Sequence, residues 1–125
     1  MRLKNILLVV EDMEKSIAFY RELFGLCVLK DFGGNVILTE GLVLQDRKIW
    51  EELIEKEVSY GGNGSELYFI ENDLEGFQEK LERSSFEISY IHKLKEHSWG
   101  QRAIRIYDPD GHMIEVGEPP EKWKK

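Results

Sequence analysis

The chain has 125 residues, 42% of them hydrophobic, and carries a formal net charge of -7 from 24 acidic and 17 basic side chains. That length and apolar content suit one ordinary domain with its own core and no disulfide or metal staples. The acidic balance excludes a partner that demands a basic face, so neither nucleic acid nor an anionic membrane is expected.

The first predicted strand is the apolar run Ile6–Val10, which Glu11 and Asp12 end. It is too short for a signal-peptide core or a membrane span, and a cytoplasmic protein is expected. Asp12 is a helix N-cap, Ile17, Tyr20, Leu23 and Phe24 follow at helical spacing, and Gly25 stops the helix. Short apolar runs punctuated by glycine come next and read as antiparallel strands. Cys27 is expected buried on one of them; as the single cysteine it excludes an internal disulfide and suits a reducing compartment. EGLVLQD at 40–46 closes this part, and Ile49, Trp50, Leu53 and Ile54 then predict an amphipathic helix, most simply a packed one. The run Gly61, Gly62, Asn63, Gly64 is a flexible joint.

The plan then repeats. A strand starts at Glu66, Asp73 is the next N-cap, and Leu74, Phe77 and Leu81 lie on one helical face. Asn5 precedes its N-cap by seven positions, as Glu66 does, and Gln45 follows Gly41 by four, as Glu115 follows Gly111. The chain therefore reads as two β-α-β-β-β modules in one α+β domain: module 1–47, connecting helix and linker 48–64, module 65–118 and tail 119–125. Its only basic cluster, Lys122, Lys124 and Lys125, is in that tail.

Strand alternation assigns the faces. Ile6, Leu8 and Val10 are expected under the first helix, and Leu67, Phe69, Ile104, Ile106, Ile114 and Val116 under the second. Glu71 breaks the pattern and implies an early strand end or a bulge. The opposite face then collects Asn5, Glu66, Tyr68, Arg105, Tyr107 and Glu115, with Gln45 joining through its match to Glu115. That set is too polar for a second core and suits the concave face of a curved sheet that takes a small molecule.

The helix DMEKSIAFYRELFG, the stretch WGQR at 99–102 and the ending DPDGHMIEV resemble the vicinal oxygen chelate superfamily, which contains glyoxalase I, fosfomycin-resistance thiol transferases, extradiol dioxygenases and bleomycin-resistance proteins. The resemblance covers nearly the whole chain. It implies a curved mixed-sheet cup with helices on the convex side, and often a homodimer. In the enzymes of the family the cup holds a divalent metal acting as a Lewis acid on two neighbouring substrate oxygens. The ligand positions so implied are Asn5, Gln45, Glu66 and Glu115. Glu115 matches the family's usual glutamate, while Asn5 and Glu66 stand where histidines are common. An all-oxygen set of this kind suits manganese, magnesium or calcium and makes a poor zinc site.

Two readings of the carboxylates stay open. Either Arg105 compensates Glu66 and Glu115 without metal, since a guanidinium matches carboxylate geometry, or an oxygen-ligated ion sits between them. Glu66, Glu115 and His97 are the candidate proton-transfer groups, and Tyr68, Trp99, Arg102, Arg105 and Tyr107 the candidate ligand-binding ones. His92 and His112 read as surface. The functions that follow are binding of an aromatic or cationic small molecule, as in bleomycin-resistance proteins, or a metal-dependent lyase, isomerase or transferase.

Overall fold

The computed structural model of the protein describes residues 1–123; Lys124 and Lys125 of the basic tail lie outside them. The chain divides into two compact units, with the boundary between Tyr60 and Gly61. No helix among the described residues is long and apolar enough to cross a membrane.

The first unit comprises β1 (Ile6–Val10), α1 (Met13–Phe24), β2 (Val28–Asp31), β3 (Asn35–Leu38), β4 (Leu42–Asp46) and α2 (Arg47–Ile54). Its strands form a mixed sheet in the order β1-β4-β3-β2, with β1 parallel to β4 and the other neighbours antiparallel. The second unit holds β5 (Leu67–Ile70), α3 (Leu74–Arg83), β6 (Ser89–Glu96), β7 (Arg102–Tyr107) and β8 (Met113–Gly117), in the order β5-β8-β7-β6. The opening strand of each unit therefore lies parallel to the closing one, as an internal repeat requires.

Local chemistry starts and stops the helices as expected. The Asp12 carboxylate accepts the Lys15 N–H, and Gly25 ends α1 at φ 69°, a conformation that glycine adopts without steric cost. Asp73 caps α3 in the same way through the Gly76 N–H. Asp73→Ala removes that acceptor, and the second unit is expected to lose about 1 kcal/mol, read as a lower urea midpoint with unchanged slope.

Helices α1 and α3 each pack on one face of their own sheet. Phe19, Tyr20 and Leu23 of α1 are buried with Val10, Val36, Leu38, Leu42 and Leu44. Leu74, Phe77 and Leu81 of α3 are buried with Ile104, Ile106, Ile114 and Val116, and the register couples Ile104 to Val116 and Ile106 to Ile114. Strand β5 stops at Ile70, and the Glu71 N–H turns to the Gly117 carbonyl, which accounts for the break in alternation there.

Three expectations about packing are corrected. Cys27 is an exposed free thiol, because it precedes β2, an edge strand whose four residues all face solvent. Ile6 is half-exposed at the start of β1, while Val10 takes the buried place. In α2, which begins at Arg47, Leu53 is exposed to 71%, so its apolar stripe is not packed along its length.

Candidate functional site

The second unit gathers most of the polar residues singled out from the sequence. Cross-strand register sets Tyr68 of β5, Glu115 of β8, Arg105 of β7 and His92 of β6 side by side across the sheet. Directly paired residues project to the same face, so these four share the face opposite α3. Glu66 and Tyr107, two positions along from Tyr68 and Arg105, belong to it by alternation.

Arg105 is the centre of the group. Its Nη2 donates to Glu115 Oε1 at 2.7 Å and its Nε to Glu66 Oε1 at 3.3 Å. Its Nη1 lies 3.3 Å from His92 Nε2 and 3.2 Å from His97 Nε2. A guanidinium only donates, so both imidazoles must accept at Nε2 and carry their protons on Nδ1. The His92 Nδ1 contact to the Lys93 carbonyl at 2.9 Å agrees with that tautomer. Burial, then the nearby Arg105 charge, holds the His97 pKa below its usual value, so His97 is neutral here.

Glu115 is 4% exposed. Burial chiefly, then the adjoining Glu66 carboxyl, raises its pKa to about 7 against the opposing pull of Arg105. The second Glu115 oxygen accepts from Gln101 Nε2 at 3.1 Å, and the same amide nitrogen donates to the Tyr68 hydroxyl at 3.2 Å. Gln101 Oε1 accepts the Trp99 indole N–H at 3.0 Å. The Trp99 ring stacks on His97 with centroids 4.5 Å apart and planes 7° from parallel. Burial and the Glu115 charge push the Tyr68 hydroxyl pKa up, so it keeps its proton at neutral pH.

The remaining sequence candidates lie elsewhere. Arg102, expected at the ligand, projects to the helix-bearing side, where it clasps Glu118 through Nε at 2.7 Å and Nη2 at 3.1 Å and also bonds Glu75 of α3. Alternation from Arg105 implies this, since the two residues are three apart. In the first unit, Asn5 Nδ2 donates to the Gly41 carbonyl at 3.2 Å, and Gln45 Oε1 accepts from Asn35 at 2.8 Å. Nor is Gln45 the counterpart of Glu115 by strand pairing. Leu7, equivalent to Tyr68 when the helix caps are aligned, pairs with Val43, whereas Tyr68 pairs with Glu115. Counting from Gly41 and Gly111 misses this two-residue offset, because the approaches to β4 and β8 differ: a short 3-10 turn, Thr39–Gly41, precedes β4.

Two participants went unrecognised in the sequence. His92 reads as surface in the sequence, and strict alternation would put it on the same side as Tyr90. A register shift between them leaves Tyr90 opposite Ile106 and bonded to Gln78 of α3, and turns His92 to Arg105. Gln101 precedes β7 and belongs to no alternating run; its only signal was its place in WGQR.

A family profile described as a glyoxalase-like domain matches residues 3–121. The chain belongs to the glyoxalase-like domain family. Solved structures named for the glyoxalase/bleomycin-resistance/dioxygenase superfamily share its fold at 16 to 18% identity. It is 35% identical to a protein of unknown function from Agrobacterium tumefaciens, covering 95% of this chain and 94% of that one with a TM-score of 0.81. A glyoxalase-related enzyme from Fulvimarina pelagi is 21% identical over 95% and 88% of the two chains, TM-score 0.79. The fosfomycin resistance protein FosX of Listeria monocytogenes is 17% identical over 95% and 91%, TM-score 0.70. These last two likenesses concern the fold alone. No curated protein matches the chain.

Glyoxalase-like membership raises the question of a divalent ion, and the donor set argues against one on Glu66 and Glu115. Each carboxylate already gives an oxygen to Arg105, so a cation of fixed position holds the place a metal would take. The Gln45 amide oxygen is engaged by Asn35, and amide oxygens are weak ligands in any case. Among the described residues, Asp108, Asp110 and His112 have ligand atoms within 4.8 Å of one another. There Asp108 Oδ1 accepts the Asp110 and His112 N–H groups, the bonding of a side chain that shapes a turn.

Proposed function

We propose that the face of the second sheet bearing Glu66, Tyr68, Trp99, Arg105 and Glu115 binds a small aromatic molecule, with Arg105 as the resident cation in place of a histidine-ligated metal. The observation that carries this reading is the single guanidinium donating to both carboxylates. It offsets the like-charge repulsion that would otherwise call for an ion. Trp99 is 54% exposed and Tyr68 45%, so both rings offer surface to a guest.

The same arrangement supports proton exchange with that guest. A carboxyl titrating at about 7 is present in both forms near neutral pH, which suits a general acid or base. Glu115 is the group of this role, and Glu66 and Arg105 set its balance.

The reading predicts that manganese, magnesium and zinc leave the thermal transition of the purified protein unchanged, while a neutral or cationic ring compound raises it. Ligand at a hundred times its dissociation constant stabilises by about 2.7 kcal/mol. A metal-induced rise that Glu115→Ala abolishes would transfer the assignment to metal-dependent chemistry.

A further inference from the structure

The hydrogen bonds around Gln101 have a fixed direction. The Trp99 indole N–H can only donate, so the carboxamide must turn its oxygen to Trp99 and its nitrogen to Tyr68 and Glu115. Both amide hydrogens are then spent, and the Tyr68 oxygen is an acceptor in its bond to Gln101. Its own O–H proton is directed elsewhere, and no described side chain receives it.

Gly117 makes room for this bridge. A methyl group there would stand 2.7 Å from Gln101 Nε2 and 3.0 Å from the Tyr68 hydroxyl. Its backbone lies within the β8 ladder, paired with Ile70 and Ala103. What the glycine provides is space.

We infer that Trp99 and Gln101 orient Tyr68 as an outward hydrogen-bond donor, so that the site selects a planar ring bearing an uncharged oxygen acceptor, a carbonyl, with the ring on Trp99 and the oxygen on Tyr68. His97 covers one face of the indole and Trp99 is 54% exposed, so the ring is assigned to the other face. One carboxamide spans the indole nitrogen and the phenol oxygen, so a substituent on a ring seated at Trp99 lies within reach of Tyr68. The acceptor is uncharged because Glu66 and Glu115 share a single guanidinium, which leaves excess negative charge beside the hydroxyl. In this assignment Tyr68 touches the ligand, and Gln101 is a positioning residue. The inference rests on the small-molecule reading and deepens it.

Acetophenone and ethylbenzene share a ring and differ in the carbonyl, so they serve as probes, titrated at millimolar concentration against the Trp99 indole N–H resonance, which Trp99→Phe assigns. Wild type is expected to bind acetophenone about five- to tenfold more tightly than ethylbenzene. In Tyr68→Phe that preference falls to about parity. Gly117→Ala keeps every functional group, displaces the bridge and lowers the preference as well. Equal binding of both probes by wild type, or a preference that survives Tyr68→Phe, overturns the inference and leaves the small-molecule reading standing. If neither probe moves the Trp99 resonance, both fall.

Discussion

Arg105→Ala is expected to destabilise the protein by about 3 kcal/mol at pH 8, and by much less at pH 5. Removing one partner of a largely buried ion pair leaves the other charge stranded, and that penalty exceeds the net worth of the intact pair. Here two carboxylates are stranded at once, Glu115 at 5% side-chain exposure and Glu66 at 30%. At pH 5 Glu115, whose pKa is about 7, is protonated and needs no counter-charge, which relieves its part of the cost. Urea denaturation at the two pH values measures it. An equal loss at both would mean that the guanidinium contributes through packing, and Arg105 would cease to be the resident cation.

Glu115→Gln is expected to make the protein more stable at pH 8 than wild type while changing it little at pH 4.5. The folded-state pKa of about 7 lies above the ordinary value of 4.5, so between those limits the native state binds more protons than the unfolded chain. Stability then declines as pH rises through this window and levels off above it. Glutamine keeps the shape and does not titrate, so the gap between variant and wild type opens from pH 4.5 to about 7.5. At 1.36 kcal/mol per pKa unit the rise from 4.5 to about 7 makes that gap about 3 kcal/mol. Glu66, Arg105, Tyr68 and Gln101 face this carboxyl, and none of them is altered in the variant. Parallel stability profiles from pH 4.5 to 8 would show that Glu115 titrates normally, which would remove it as the proton-exchanging group.

Much of this architecture could be read from the chain before any coordinates. Asp12, Gly25 and Asp73 mark helix ends because a carboxylate cap and a left-handed glycine satisfy backbone groups only a few residues away. Ile104, Ile106, Ile114 and Val116 declared the buried face, and therefore Arg105 and Glu115 the opposite one, because pleated strands alternate. The glyoxalase-like identity came from such local runs in the right order. Places where the alternation breaks were harder. Tyr90 and His92 have the same parity and opposite faces, since the extra residue of a bulge is paid for by partner-strand geometry that a single strand does not encode.

From its amino-acid order alone, this protein was determined to be two repeats of one α+β unit, with a polar sheet face that includes Arg105, Glu66 and Glu115. Short-range rules suffice for that: capping, helical spacing and strand alternation each act within a few residues. Only the tertiary structure decided what those side chains do to one another. It decided that one guanidinium spans both carboxylates and both imidazoles, that β4 sits two residues out of step with β8, and that Gln101 ties Trp99 to Tyr68. Apart from the Trp99–Gln101 bond, such contacts join residues 8 to 39 positions apart, and their geometry follows from strand register, turn shape and the space left by Gly117, which arise only when distant segments pack.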